Sequence, residues 1–208
     1  MKLKAMGRLC KAAGRLELID YEAEDGTIEQ WIGCGKCAWP VDGLPYLTLD
    51  NTERLLELGA KDMEGIESDH LHAAPGRLRH GDEEEIVLYQ ADLSLEYLGE
   101  RYMLLKSSDG DLWPVDRALL APKGKGWDPE FYWRPELGYI AVKNGLMLEA
   151  VITPETYKSE LLRDLVWNLS GCGWLIGTEE DRNGETYEQE EFEAAGLPGD
   201  GADGVSPE

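Results

Sequence analysis

The residues best suited to chemistry in this chain fall in two short motifs. Cys34-Gly35-Lys36-Cys37 has the spacing at which a tight turn aims two thiolates at one metal ion, and Asp69-His70-Leu71-His72 offers two imidazoles. A structural zinc takes four ligands, so Cys34, Cys37, His70 and His72 form the metal set this composition offers, with His80, Cys10 and Cys172 as substitutes. The opposing expectation is ordinary reduced cysteines and exposed loop histidines. No second C-x-x-C follows, and the histidines lie in a glycine-rich, charge-dense stretch poorly suited to preorganising ligands. A redox pair would need a thiol at a helix N-terminus, whereas Trp39-Pro40-Val41 after Cys37 reads as extended. No cofactor other than zinc is suggested.

Other reaction signatures are absent. There is no G-x-S-x-G elbow, Gly124-Lys125-Gly126 lacks the frame of a phosphate-binding loop, and Gly33-x-Gly35 neither opens a helix nor finds a third glycine. Paired carboxylates carry no signal in a chain with 42 Asp and Glu.

That acidity is itself the strongest feature. Twenty Lys and Arg leave a formal charge of −22 on 208 residues, which argues against a protein that grips nucleic-acid phosphates or anionic lipid through a basic face. The tail 178–208 carries −10 of it, with eleven acids and only Arg182 as a base, and is expected to be disordered because it has little apolar surface to bury. The remaining −12 lies on residues 1–177, the part expected to fold. Two runs stand out as partner-binding candidates: Glu17, Asp20, Glu22, Glu24 and Asp25, then Asp82, Glu83, Glu84 and Glu85. A third candidate is aromatic. Trp127, Phe131 and Trp133 share a segment stiffened by Pro129 and Pro135 and are residue types that dominate interfaces, although they serve equally as a cover over a sheet.

The elements that must position these residues have mostly a period of two. Residues 15–23 and 28–32 flank Glu24-Asp25-Gly26-Thr27, residues 102–106 and 112–116 flank a Ser-Asp-Gly turn, and residues 139–143 and 146–152 flank Asn144-Gly145, the strongest two-residue hairpin signal. Two helices are predicted. A short one over 51–58 has Asp50 and Glu53 as a capping box, and a longer one over 153–170 begins at Thr153-Pro154 with Tyr157, Leu161, Leu162, Leu165, Val166 and Leu169 on one face. The fold class expected is α+β: antiparallel hairpins in one or two small sheets packed against these helices. The organisation expected is a hairpin-plus-helix unit over 1–59, a loop over 60–85, a main unit over 86–177 and the tail. Trp39-Pro40-Val41-Asp42 recurs as Trp113-Pro114-Val115-Asp116, which reads either as an internal repeat or as a recurrent strand exit where proline withholds a ladder donor.

The basic start, with Lys2, Lys4, Arg8, Lys11 and Arg15, is interrupted by Gly7 and Gly14 and followed by no apolar segment, so it reads as neither signal peptide nor membrane span. Four scattered cysteines suit a reducing compartment, and the expected location is cytoplasmic. In general look the chain is similar to compact, acidic accessory proteins of phages and mobile elements, among them DNA mimics that inhibit restriction or CRISPR nucleases. The functional expectation is therefore binding rather than catalysis. The expected partner is a basic, nucleic-acid-handling protein, with no direct contact to nucleic acid or membrane; the alternative is a zinc-binding or metal-dependent enzyme built on Cys34 and Cys37 with the histidines.

Overall fold

The computed structural model of the protein describes residues 2–23, 25–81, 84–97, 99–123 and 127–154. In chain order these form α1 (Leu3–Ala13), β1 (Arg15–Glu22), β2 (Ile28–Gly33), β3 (Cys37–Pro40), α2 (Leu49–Leu55), α3 (Ala60–Met63) and β4 (Glu67–His72). There follow β5 (Ile86–Tyr97), β6 (Glu100–Ser107), β7 (Leu112–Asp116), a 3-10 turn (Arg117–Leu120), β8 (Glu130–Arg134), β9 (Tyr139–Asn144) and β10 (Met147–Ile152).

The ten strands among the described residues join one sheet in the order β4-β1-β2-β3-β10-β9-β8-β5-β6-β7. Three antiparallel meanders, β1-β2-β3, β8-β9-β10 and β5-β6-β7, lie side by side, and β4 adds to β1 in parallel. This corrects the expectation of one or two small antiparallel sheets on a C-terminal helix. A single mixed sheet dominates, and the three short α-helices among the described residues precede β4. The helix predicted over 153–170 lies, from residue 155 onward, outside the described residues, as does the tail. The predicted 51–58 helix is α2, begun two residues earlier because Thr48, not Asp50, accepts from the Asn51 amide as N-cap. The segment 60–85, expected as a loop, supplies α3 and the edge strand β4. Pairing of Ala38 with Val151 and of Cys37 with Ile152 makes the N-terminal and main units one continuous sheet.

Period-two alternation fills both faces of this sheet. Leu16, Leu18, Ile32, Trp39, Leu88, Met103, Leu105, Ile140 and Val142 form the larger core together with Met6 and Cys10 of α1 and Leu56 after α2. Tyr21, Trp31, Ala38, Tyr139 and Ala141 form a smaller core on the opposite face. Helix α1 was not predicted. Gly14 ends it in the left-handed conformation at φ 65°. A Cβ on Gly7 would lie 2.4 Å from the Leu56 carbonyl oxygen, so α1 meets the chain after α2 backbone to backbone.

The repeated tetrapeptide occupies equivalent places, on the third strand of two meanders. Trp39 stands opposite Ile32, and Trp113 opposite Leu105. Trp39 is fully buried and donates its indole N–H to the Leu119 carbonyl, 3.2 Å away. Pro114 lies on β7, the outermost strand at one end of the sheet, where a missing N–H discourages further pairing.

Candidate functional site

One polar cluster is built around Asp20. Alternation along β1 puts Asp20 on the same face as Leu16 and Leu18, and Gln30 stands directly across from it on β2. On the other side, the parallel pairing sets His72 opposite Asp20 and His70 opposite Leu18. The Asp20 side chain is only 5% exposed. Its carboxylate accepts from Gln30 Nε2 at 2.8 Å and from the Tyr46 hydroxyl at 2.5 Å, and it lies 3.0 Å from His70 Nε2. His72 Nδ1 is 3.9 Å away, and the two imidazoles stack with centroids 5.7 Å apart. Burial alone would raise the Asp20 pKa. The hydrogen bonds from Tyr46, Gln30 and His70 outweigh it and hold the carboxyl below its usual range. Gln30 turns its remaining groups to the backbone of Leu47, accepting from its N–H at 2.6 Å and donating to its carbonyl at 3.1 Å. The cluster thus fastens the connection 41–48 onto β1 and β2.

A second cluster lies on the opposite face of the same edge. The Arg15 guanidinium donates from Nε to Glu17, from Nη1 to Glu67 and from Nη2 to Asp69, at 2.7, 2.8 and 2.8 Å. A third fixes the chain before β5. Arg134, with no exposed side-chain surface, donates to Glu85, to the carbonyls of Arg79 and His80, and to the Tyr139 hydroxyl. Lys143 reaches the other Glu85 oxygen at 2.5 Å and covers the Tyr132 ring.

The metal set drawn from the sequence does not assemble. Cys34 and Cys37 occupy the β2–β3 hairpin, where the Cys34 N–H donates to the Cys37 carbonyl and Gly35 takes φ 77°; both side chains turn into the larger core. His70 and His72 lie on edge strand β4. His80 Nδ1 accepts from the Leu148 amide. Among the described residues no group of three His, Cys, Asp or Glu side chains is placed to hold a metal ion. Cys10 joins Cys34 and Cys37, all free and buried. Burial pushes the Cys10 thiol up to about 12, with Cys34 beside it adding to the effect, and raises the other two as well. Such thiols are poor nucleophiles. We expect mass-spectrometric mapping to find Cys10, Cys34 and Cys37 unmodified by an aromatic disulfide reagent in the native protein, and labelled about a hundredfold faster in urea. Rapid native labelling of any of the three, or stoichiometric zinc lost on Cys34→Ser, would contradict this assignment.

The candidate partner-binding acids divide. Glu22 and Asp25 are exposed, the latter at the β1–β2 turn accepting from Thr27, and Glu84 is exposed. Glu17, Asp20 and Glu85 are engaged in the clusters above, while Glu24, Asp82 and Glu83 lie outside the described residues. Phe131 is buried in the larger core, and Trp127 and Trp133 are partly buried against it, with Trp133 5.6 Å from Trp113. Sequence reasoning missed Tyr46, Gln30 and Arg15. No local pattern marks them, because their partners are brought by β-pairing or by long connections.

No helix among the described residues is long and apolar enough to cross a membrane. Comparison with protein-family models, with curated proteins and with solved structures found no match.

Proposed function

We propose that this protein acts by binding a basic partner, of the kind that handles nucleic acid, through the acidic surface of its sheet. One observation carries the reading: the sign of the exposed charge. Outside α1 to α3 and the residues next to them, the described exposed bases are Arg77, Arg101 and Arg117. Facing solvent over the same region are Glu22, Asp25, Glu67, Asp92, Glu96, Asp109, Asp111, Asp128, Glu130 and Glu136, among others. Held on strands and tight turns, these carboxylates present a fixed field that steers a cationic surface and loses reach as salt is added. In the sharper form of this proposal, carboxylates stand in for phosphates inside the channel of a nuclease, as in inhibitors from phages and mobile elements.

The test is capture from lysate at about 50 mM and about 500 mM salt, with added duplex DNA as competitor. Basic nucleic-acid-binding proteins should be retained at the lower salt, released at the higher, and displaced by DNA if the sharper form holds. Retention of neutral or acidic proteins only, or retention indifferent to salt, contradicts the proposal.

A further inference from the structure

The outer edge of the sheet carries a site suited to one kind of segment. Strand β4 ends the sheet, and alternation puts Glu67, Asp69 and Leu71 on the face that also carries Arg15, Glu17 and Ile19 of β1, each directly opposite its partner. Three carboxylates surround the single Arg15 guanidinium, and two of them, Glu67 and Asp69, are 72% and 40% exposed. The cluster therefore keeps an excess of two negative charges, with two of its three carboxylates open to solvent. Beside it opens a groove of about 460 Å³, whose walls include Glu17, Ile19, Leu71 and Val151, with Arg77 and His72 also reaching it. Leu71 remains 38% exposed. Asp69 and Leu71 are two residues apart on one strand, so a carboxylate and an apolar wall are offered about 7 Å apart. An extended peptide repeats its side chains on one face at the same interval.

We propose that this corner is where an extended segment of the basic partner docks, with an arginine or lysine on Glu67 and Asp69 and an apolar side chain two residues on in the groove. The inference rests on the reading that the partner is basic and names the patch that receives it. Charge complementarity selects this occupant. A second copy of a chain carrying −22 would bring like charge to the same carboxylates.

The probe is a labelled peptide with an Arg-Ser-Leu-Ser repeat, followed by fluorescence anisotropy with the full chain at about 50 mM salt. Replacing Glu67→Gln together with Asp69→Asn should weaken binding about fivefold, because both are exposed and their pairs are solvent-screened. A peptide with serine in place of leucine should bind about tenfold more weakly. Asp50→Asn with Glu57→Gln, exposed on and just after α2 over the other face of the sheet, should leave the affinity unchanged. Equal binding of the arginine peptide to both double variants overturns the docking site while leaving the broader proposal standing. Failure of any arginine-rich peptide to bind, even at low salt, overturns both. A dimer detected by sedimentation and disrupted by the Glu67/Asp69 variant, or a segment of the chain itself cross-linking to Leu71→Cys, replaces the proposed occupant and overturns the inference.

Discussion

Replacing Glu85 with alanine should destabilise the protein by about 3–5 kcal/mol, the range for removing one member of a buried charged cluster. Glu85 is the acid in a site with two bases: Arg134 has no exposed side-chain surface, and Lys143 has 9%. Without Glu85 these buried cations lose the carboxylate that both are paired with, and solvent has little access to replace it. Every N–H of Arg134 is already directed, to Glu85, two carbonyls and Tyr139. Lysine cannot reproduce that fork, so Arg134→Lys should also destabilise strongly. Urea unfolding gives the measurement, read as a fall in midpoint at unchanged slope. An apolar triple replacement at Glu85, Arg134 and Lys143 separates the two possible causes. If the damage comes from stranded charge, the triple variant should be more stable than Glu85→Ala alone. A Glu85→Ala loss below about 1 kcal/mol would mean that water reaches the cluster.

The second large effect is expected at Asp20. Asp20→Ala removes a buried acceptor shared by Tyr46, Gln30 and His70, with an expected cost of about 3 kcal/mol near neutral pH. Its dependence on pH follows from the lowered pKa. A carboxyl whose pKa is depressed on folding contributes stability that is fully present above its unfolded value, about 3.9, and is lost as pH falls through the folded value. The gap between the wild-type and Asp20→Ala stabilities should therefore be constant above about pH 5 and close on further acidification. Hydrogen exchange gives a local readout. The Leu47 amide, which donates to Gln30, should exchange faster in Asp20→Ala, because the carboxylate that holds the Gln30 amide in place is gone. A pH-independent gap, or an unchanged Leu47 amide, would show that Asp20 does not clamp this connection.

What could be read from the sequence follows from how local each signal is. Asn144-Gly145, Glu24 to Thr27 and Ser107 to Asp111 each lie between strands that the structure pairs, because a hairpin is specified by its own turn. Helix α1 was hidden by Gly7 and Gly14, which look like interruptions. One is instead the left-handed cap and the other the point where α1 touches the backbone of Leu56, so tertiary contact reverses the meaning of both residues. Strand β4, Glu-Ser-Asp-His-Leu-His, has one apolar residue in six. An edge strand with little burial carries almost no alternation to detect.

The site suffered more than the fold. Asp20 and His70 are fifty residues apart and meet through a parallel pairing that no turn announces. Composition did indicate where the charge lies. It did not distinguish Glu85 and Asp20, turned inward, from Glu84 and Glu22, which face water. Phe131 shows the same ambiguity for aromatic residues, since a ring suited to an interface is equally suited to a core.

The position of β10 has a consequence for how the molecule comes into being. The last strand among the described residues sits in the middle of the sheet, between β3 and β9. While the ribosome is still making residues 41 to 146, β3 has no neighbour on that side, and its Cys37 and Ala38 backbone groups wait for Ile152 and Val151. At a synthesis rate of roughly 5–20 residues per second, the bare edge persists for about 5–20 seconds. Newly made chains thus expose to stray strand pairing an edge that, in the finished protein, lies buried between β2 and β10.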